Sequence, residues 1–247
     1  MNYRILISFV ILMIISMALA FVIIKRTELQ AETEKSNTET ITPEYIISKL
    51  LEHNQVREHK MLGYSAEREY YAESGRFNKK ASMRVKVVFE SPRTKRFDII
   101  SEDGSKTIRN KIFHGLMEAE LDALDPEKKR QSIISFNNYT FKLAGEADML
   151  GYHCYLLDVE PKREEKYLFR GRVWIEANDF AVVRLEGSPA KRPSIWTRKV
   201  EFSRENQKVG DFWVPAKDES TTKIFIFGDS TYIVHYFNYQ FQTRAAE

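Results

Sequence analysis

Residues 166–187 read KYLFRGRVWIEANDFAVVRLEG and contain two runs of residues separated by a polar tetrapeptide. In the first run, large apolar residues alternate with a more polar set, and this period of two is typical of a β-strand. The second run is apolar and rich in valine, and it ends at Gly187. Between the runs, Asn178 and Asp179 favour a turn, because their side chains bond the local backbone and tolerate left-handed dihedral angles. We therefore predict a β-hairpin, which needs neighbouring elements to be stable.

The remainder of the chain supplies further strand patterns on both sides of this hairpin. Alternating or β-branched runs predict strands at 64–70, 81–89, 96–101, 139–144, 152–159, 196–202, 212–218, 223–227 and 231–241. Polar, turn-like separators lie at 102–105, 148–151, 205–207, 209–211 and 228–230. Short connections favour antiparallel neighbours, so we predict a mainly antiparallel sheet.

Two stretches have helical periodicity instead. Thr42 and Pro43 predict a helix start, with Thr42 as the N-cap. An apolar stripe at helical spacing follows in Ile46, Ile47, Leu50 and Leu51. A second helix is predicted after residue 105, with its apolar face formed by Ile108, Ile112, Leu116 and Ala119. A short helical turn or loop is expected to start at Asp125.

The first 26 residues are an apolar N-terminal segment. Positions 5–24 are twenty residues without a charge, preceded by Arg4 and followed by Lys25 and Arg26. Twenty helical residues span about 30 Å, which is the thickness of the hydrocarbon core of a bilayer. The segment is therefore either a membrane anchor or a signal peptide cleaved after Ala20, where a small-residue pattern occurs. The apolar run continues past Ala20, which favours the anchor, and in both cases we expect the body to be exported.

Composition divides the rest of the chain into a linker and one domain. Residues 27–41 are rich in Glu, Thr and Ser and are predicted to be a flexible linker. Residues 42–247 are predicted to form a single domain. The formal net charge of +3 comes from the N-terminal segment, and the remainder has equal numbers of acidic and basic residues. This balance does not favour a nucleic-acid surface, and the basic tract 128–130 is expected to be a solvated helix face.

Patterns for catalysis and metal binding are weak. The five histidines are scattered, the single cysteine is Cys154, and there is no glycine-rich phosphate loop. We expect Cys154 to be a small buried apolar residue. The block 227–230 copies the FGDS sequence of the GDSL esterases, but no aspartate follows it, so a hairpin turn is expected. Glu118, Glu120 and Asp122 do not share one helical face and are expected to be solvated. We predict no metal, no cofactor and no enzymatic activity.

Four sequence blocks, in their order, resemble a known group of proteins. They are Arg172-Val-Trp-Ile-Glu176, Ala181-Val-Val-Arg-Leu-Glu-Gly187, Pro193-Ser-Ile-Trp196 and Gly210-Asp-Phe-Trp-Val-Pro215. With a leading helix and a long strand meander, they are similar to the bacterial outer-membrane lipoprotein-sorting proteins. This superfamily includes the periplasmic carrier LolA, the receptor LolB and the stress regulator RseB. The resemblance covers about residues 42–241, and the chain departs from the receptor branch in lacking a lipidated N-terminal cysteine.

The resemblance implies an α+β fold: a curved antiparallel sheet, or unclosed β-barrel, with helices that cover the concave face. It also implies a cavity that holds lipid acyl chains or lipoproteins. We expect uniformly apolar strand faces to line that cavity, with the candidate residues Tyr167, Phe169, Val173, Ile175, Val85, Val87 and Phe89. Trp174 lies on the mixed face of its strand and is expected outside, where its ring could stack on Arg172 or Arg184.

Two functions from different classes follow. The first is a periplasmic module that binds lipid or lipoprotein acyl chains in envelope lipoprotein sorting or transport. The second is a membrane-anchored envelope sensor or adaptor that binds a partner protein. We expect the body to lie in the periplasm, either free or anchored in the inner membrane by residues 5–24. The state of the N-terminus distinguishes them, because a shuttling carrier needs this segment to be removed.

Overall fold

The computed structural model describes residues 41–75, 78–191, 197–224 and 228–244. The chain divides into two units after Ile41, and the fold described below belongs to the second unit, Thr42–Glu247. The predicted membrane segment, the predicted linker up to residue 40 and the sequence block 193–196 lie outside the described residues. In the part of the chain that is described, no helix is long and apolar enough to cross a membrane.

The first helix, α1 (Pro43–Lys60), begins where the sequence predicts and extends further than its apolar stripe. The Thr42 hydroxyl accepts a hydrogen bond from the backbone N–H of Tyr45 at 3.2 Å, which satisfies one of the unpaired donors of the first turn. The helix buries the residues of the predicted stripe that face the sheet, namely Ile46, Ile47 and Leu50.

The second helical region consists of four consecutive pieces. They are α2 (Lys106–Ile108), a π-helical turn (Arg109–Phe113), α3 (His114–Asp122) and α4 (Pro126–Ser132). The Asp125 side chain caps α4 by accepting hydrogen bonds from the backbone N–H groups of Glu127 and Lys128. The predicted helix after residue 105 is therefore present, but a π-helical turn interrupts its regular hydrogen bonding.

Ten strands form one sheet. They are β1 (Met61–Ser74), β2 (Lys79–Glu90), β3 (Thr94–Gly104), β4 (Tyr139–Met149), β5 (Tyr152–Pro161), β6 (Phe169–Glu176), β7 (Val182–Pro189), β8 (Thr197–Val209), β9 (Phe212–Ile224) and β10 (Gly228–Thr243). Their order across the sheet is β3-β2-β1-β10-β9-β8-β7-β6-β5-β4, and every neighbouring pair is antiparallel.

The two edge strands are β3 and β4, which follow each other in sequence. The connection between them contains α2, α3 and α4, so this helical segment passes from one edge of the sheet to the other. Neither edge pairs with a further described strand, and the sheet is not closed into a barrel. The predicted fold class, a curved antiparallel sheet with helices on its concave face, is confirmed.

The helices and the sheet share a core on this concave face. Ile108, Phe113 and Met117 from the helical connection pack against buried residues of β1, β2 and β10. On the other half of the sheet, α1 contacts Phe180 in the turn between β6 and β7. The ring centroids of Tyr45 and Phe180 are 5.7 Å apart in an edge-to-face arrangement. The helices therefore cover two separate parts of the same concave surface.

The predicted hairpin is present as β6 and β7, but three predicted turns and one gap between predicted strands are strand. Residues 205–207 lie within β8, where the register shifts between Glu205 and Asn206. Residues 219–222, between two predicted strands, continue β9, and residues 102–104 and 228–230 belong to β3 and β10. Polar residues on the solvent side of an antiparallel sheet do not end a strand, since only one face must be apolar.

Candidate binding cavity on the concave face

A first cavity lies between α1 and the middle of the sheet. Its volume is about 480 Å3. Leu50 and Asn54 of α1 line one side, residues 132–134 another, and Phe202 and Arg204 of β8 belong to the sheet side. The remaining lining residues are Tyr139, Lys166, Tyr167, Leu168, Phe169, Val182, Leu185, Pro189, Ser203, Asp218, Glu219 and Tyr232.

One end of this cavity is aromatic and aliphatic. The ring of Phe169 lies 5.5 Å from that of Tyr139 and 5.7 Å from that of Phe202, between centroids. Leu50 and Leu168 are each only 1% exposed. Burial raises the pKa of the Tyr139 hydroxyl to about 12, so that this group is neutral at physiological pH. This end of the cavity offers an apolar ligand an aromatic and aliphatic wall.

A second cavity of about 400 Å3 adjoins the first. Tyr167, Arg204, Asp218 and Tyr232 line both volumes, which makes them neighbouring parts of one concave groove. The second part is polar and aromatic. Its other lining residues are Tyr64, Arg68, Tyr70, Leu116, Ala119, Glu120, Ala123, Val214, Pro215, Val234, Tyr236 and Tyr239.

A charge cluster on one side of the second cavity joins α3 to the sheet. Arg68 donates two hydrogen bonds to the Glu120 carboxylate, at 2.5 and 2.9 Å, and Lys95 donates a third at 2.6 Å. Burial alone would raise the pKa of Glu120, but the hydrogen bonds and the charge of Arg68, with those of Lys95, lower it to about 2. The prediction that Glu120 is solvated is therefore wrong, whereas Glu118 is exposed as predicted.

A second charge cluster lies in the part of the groove that the two cavities share. Arg204 of β8 donates two hydrogen bonds of 2.6 Å to the two oxygens of Asp218 on β9. The Tyr236 hydroxyl donates another to Asp218 at 2.7 Å. Although burial alone would lower the pKa of Arg204, the charge and hydrogen bonds of the Asp218 carboxylate raise it above its ordinary value. The concave face is thus apolar at one end and charged near its middle.

The seven candidate residues fall into different environments. Tyr167 and Phe169 line the first cavity. The others do not line either cavity. Val173, Ile175, Val85 and Val87 are fully buried in the packed core of the sheet. Phe89 is partly buried and its ring lies 5.4 Å from that of Tyr64.

Other lining residues were not predicted from the sequence. Leu50 belongs to the predicted helical stripe, and Phe202 to a predicted strand. The sequence therefore predicts that both lie on apolar faces, but not that they line a cavity. Arg204 and Asp218 face inward although charged residues usually face solvent. Arg204 lies two positions from Phe202 on β8, and Asp218 two positions from Ser220 on β9, so each pair shares a strand face; this spacing is the local signal of the orientation.

Trp174 lies on the opposite face of β6, but its predicted exposure is wrong. It is 6% exposed and packs with Cys154 and Val183 in a hydrophobic cluster that includes Tyr152 and Trp213 at its periphery. Apolar groups from β5, β7 and β9 therefore pack around the indole ring, and Arg184 is its directly paired neighbour on β7. Cys154 is buried as predicted.

A depression of similar volume lies on this convex face of the sheet. It is open and largely charged, with Arg170, Arg172, Glu186, Lys199, Glu201 and Glu219 among its lining residues. An apolar ligand would have to displace water from these charges, so the concave cavity is the better candidate site. Among the described residues, no group of three His, Cys, Asp or Glu side chains could hold a metal ion.

The sequence also matches the model of a protein family. The model of DUF5686, a family of unknown function, matches residues 82–242, more than half of the chain. The chain belongs to the DUF5686 family. The matched region runs from β2 to β10 and so includes most of the groove-forming sheet. No protein of curated function matches the sequence.

Several solved structures are similar to this DUF5686 chain. A DUF1329 family protein from Desulfovibrio piger is 13% identical, with a TM-score of 0.43, over 82% of this chain and 94% of that one. A putative outer membrane lipoprotein-sorting protein domain from Vibrio parahaemolyticus is 13% identical, with a TM-score of 0.41, over 81% and 93%. A LolA superfamily protein from Nitrosomonas europaea is 7% identical, with a TM-score of 0.36, over 83% and 96%. These neighbours include the superfamily that the sequence blocks resemble.

Proposed function

We propose that this protein binds lipid or lipoprotein acyl chains in the first cavity and acts in envelope lipoprotein sorting or transport. The observation that carries the proposal is the apolar end of that cavity, which Leu50, Leu168 and Phe169 help to form; the whole cavity has a volume of about 480 Å3. This volume lies within the range of about 300–1,000 Å3 that is typical of small-molecule sites. The sorting role rests on the sequence resemblance to the lipoprotein-sorting proteins.

The energetics of burial support an acyl chain as the ligand. Each methylene group that leaves water contributes about 0.8 kcal/mol, so a chain with about ten buried methylenes gains roughly 8 kcal/mol before the costs of binding. The loss of translational and conformational freedom offsets part of this gain. A ligand with fewer apolar groups would bury less apolar surface against Leu50 and Phe169 and would gain less free energy on binding.

The proposed location is the periplasm, with residues 1–26 as either an inner-membrane anchor or a removed signal peptide. Mass spectrometry of the protein isolated from cells distinguishes the two by the mature N-terminus. A start at Phe21 supports a diffusing carrier. A start at Met1 supports a binding module held at the membrane.

The binding proposal can be tested by photo-crosslinking. The full chain in lipid nanodiscs is incubated with a diazirine-labelled fatty acyl probe, irradiated, and digested for mass spectrometry. We expect labelled peptides that contain Phe169 and residues 132–134. Phe169→Glu should reduce this labelling at least about tenfold, because an unpaired carboxylate in an apolar pocket is costly. If Phe169→Glu does not fold, Ile134→Glu replaces it. Ile134 lines the same cavity from the segment between α4 and β4, and its substitution should also reduce labelling.

The matched control is Arg172→Glu, on the same strand but on the opposite face, with a side chain that is more than half exposed. This variant also introduces a glutamate and is measured in the same nanodiscs. Because its side chain faces away from the cavity, labelling should stay within about twofold of the parent. Equal labelling of the parent, Phe169→Glu and Ile134→Glu proteins would contradict the proposed cavity. If no acyl probe labels the folded parent, the sensor or adaptor hypothesis replaces the carrier hypothesis.

A further inference from the structure

We propose that the edge strand β3 is an interaction surface for a second copy of this chain, which pairs antiparallel with it through the same strand about a two-fold axis. The proposal does not depend on acyl binding in the cavities. It rests on three features of β3 (Thr94–Gly104), namely its open edge, its exposed isoleucines and the distribution of its charges.

The strand β3 lies at an open edge of the sheet. It pairs with β2 on one side, and no described strand pairs with its other side. Every residue from Asp98 to Gly104 is exposed. An open edge presents backbone N–H and C=O groups that can hydrogen-bond another strand. An antiparallel partner would therefore continue the sheet across the interface.

The centre of β3 is apolar, in contrast to the other edge of the sheet. Ile99 and Ile100 are 45% and 54% exposed, and both belong to the few large apolar residues that are exposed in the described part of the chain. The exposed positions of the other edge strand, β4, are Thr140, Lys142, Ala144, Glu146 and Asp148. Charged side chains discourage pairing at an open edge, so β3 is the edge that gains more from a partner.

The charges of β3 are self-complementary. Lys95 and Arg96 precede the two isoleucines, whereas Glu102 and Asp103 follow them. In an antiparallel pair of identical strands, the basic end of one copy lies beside the acidic end of the other. This arrangement matches a second copy at both ends of the strand, whereas a strand with charges of a single sign would match only one end.

The alternation of side chains places part of this charge on the convex face. Phe97 pairs with the buried Val87 of β2 and points to the concave face with it. Its neighbours Arg96 and Asp98 therefore point to the convex face. Their ion pair, at 3.3 Å, joins two side chains that are 63% and 54% exposed. An ion pair in such a position is weak, so Arg96 can also bond a carboxylate across an interface.

A β-bulge at Ile100 resets the alternation. Ile100 has no partner on β2, and beyond it Glu102 pairs with the buried Met83. Ser101 and Asp103 therefore also point to the convex face. A bulge at an edge usually discourages pairing. In a two-fold pair, however, both bulges lie at the axis, so the two strands remain equal in length on either side of it.

One register satisfies the faces and the charges together. If Ile99 lies opposite the partner's Ile100, then Asp98 lies opposite the partner's Ser101 and Arg96 opposite the partner's Asp103. Both of these polar pairs point to the convex face. A shift of two residues in one direction places Asp98 opposite the partner's Asp103, where like charges repel. A shift in the other direction moves the two bulges apart.

The expected dimer is weak in dilute solution, because the contact consists of one strand from each copy. Stable interfaces bury about 1,200–2,000 Å2, which is more than a single pair of strands supplies. An anchor formed by residues 5–24 would raise the effective concentration of the chains in a bilayer. The test therefore uses the full chain in lipid vesicles.

The register is tested by disulfide crosslinking between two single-cysteine substitutions. Vesicles contain a mixture of Asp98→Cys and Ser101→Cys chains, one of them carrying a mass tag, and are treated with copper phenanthroline. Directly opposite residues have Cβ atoms about 4.5–5.5 Å apart, which is close to the separation in a disulfide. We expect at least about fivefold more crosslinked dimer from the mixture than from either variant alone.

Two controls accompany this measurement. Lys142→Cys mixed with Glu146→Cys places the same number of thiols on the edge strand β4 and reports random collisions in the bilayer. The parent chain, whose buried Cys154 is its one cysteine, gives the background. Equal crosslinking of the β3 mixture and the β4 mixture would overturn the proposal. Equal crosslinking of the β3 mixture and of either β3 variant alone would overturn the register and the two-fold pairing with it.

A charge reversal tests the reason for the pairing. In the same cysteine variants, Arg96→Glu and Asp103→Arg should each reduce the yield of the crosslinked dimer at least about threefold, because like charges then face each other. The double variant restores opposite charges and should return the yield to within about twofold of the parent. Both positions are exposed, so these variants should fold like the parent, which circular dichroism checks.

The outcomes are independent of the proposed lipid binding. If the double variant crosslinks no better than the single variants, the charge complementarity that selects a second copy is overturned, whether or not an acyl probe labels the cavity. If the dimer forms and no acyl probe labels the protein, the proposed function fails and the interface stands.

Discussion

The Glu120 carboxylate of α3 accepts two hydrogen bonds from the Arg68 guanidinium of β1, at 2.5 and 2.9 Å. The two residues are 52 positions apart, and their contact fixes the helical connection to the middle of the concave sheet. A bidentate arginine–carboxylate pair is directional, so it sets the orientation of α3 as well as its distance. The same pair forms part of the wall of the second cavity, so its loss would alter the shape of the groove as well as the position of α3.

Leu50 tests the packing of α1 on the sheet. It is buried and lines the first cavity, so Leu50→Ala removes apolar contacts and enlarges the cavity. We expect a loss of about 2–5 kcal/mol in the free energy of unfolding, measured by urea denaturation. Val56 on the same helix is 63% exposed, and Val56→Ala should stay within about 0.5 kcal/mol. Similar values for both variants would contradict the described packing of α1.

Trp174 tests the hydrophobic cluster on the convex face. Trp174→Ala should lower the free energy of unfolding by about 3–5 kcal/mol, because the indole ring packs against Cys154 and Val183. Arg172→Ala is the exposed control on the same strand face and should have a small effect. Acyl labelling per folded molecule should be the same in both variants. A loss of labelling without a loss of stability in Trp174→Ala would place Trp174 at the ligand instead.

The thiol of Cys154 gives an independent measure of this cluster. Burial raises its pKa to about 11, so little reactive thiolate is present at neutral pH. We expect alkylation by iodoacetamide at pH 8 to be at least about a hundredfold slower in the native protein than in urea. Because the chain has one cysteine, the mass shift reports this site alone. Rapid alkylation under native conditions would show that the cluster opens easily.

The strands could be predicted from the sequence because alternation reflects a local property, the pleat of the backbone. Residues 205–207 show the limit of this signal. Their polar side chains resemble a turn, but β8 continues through them because it stays paired with β9. The capped start of α1 was predictable for the same local reason, since Thr42 bonds a backbone group three residues away.

The candidate site was less predictable, because it depends on contacts between distant residues. Phe169 could be identified from the apolar face of one strand. Val173 lies on the same face but is sealed in the core, and no local pattern distinguishes a residue that lines a cavity from one that is packed. Arg68 and Arg204 resemble solvent-facing residues until their carboxylate partners on other elements are known.

The glycine pair Gly171 and Gly187 tests the close approach of β6 and β7. The two residues are directly paired, and a Cβ atom on Gly187 would lie 2.1 Å from the Arg170 carbonyl oxygen. Gly187→Ala must therefore push the strands apart, and we expect a loss of about 1–3 kcal/mol or more in the free energy of unfolding.

The control for this substitution is Gly115→Ala in α3, where an added Cβ meets nothing within 4 Å. Alanine is the better helix former, so this variant should be neutral or more stable by up to about 1 kcal/mol. Equal destabilisation by both substitutions would mean that the strand contact is not the cause.

The titration of Glu120 should make the protein less stable in acid. Its pKa is about 2 in the folded state against an ordinary value of 4.5, because Arg68 and Lys95 stabilise the carboxylate more than burial destabilises it. The unfolded chain therefore takes up this proton first as the pH falls. The stabilisation is complete above roughly pH 5 and is lost towards pH 2. A pKa difference of this size corresponds to roughly 3 kcal/mol, of which about 2 kcal/mol is lost by pH 3.

Urea denaturation of the parent and of Glu120→Gln at pH 6, 4 and 3 measures this effect. The variant should be less stable than the parent at pH 6, because Arg68 and Lys95 lose their counter-charge, but it should lose less stability between pH 6 and 3. Glu118→Gln alters an exposed carboxylate on the same helix and should follow the parent at every pH. If Glu120→Gln has the same pH dependence as the parent, Glu120 does not carry the acid sensitivity, and the described ion pair with Arg68 does not hold in solution.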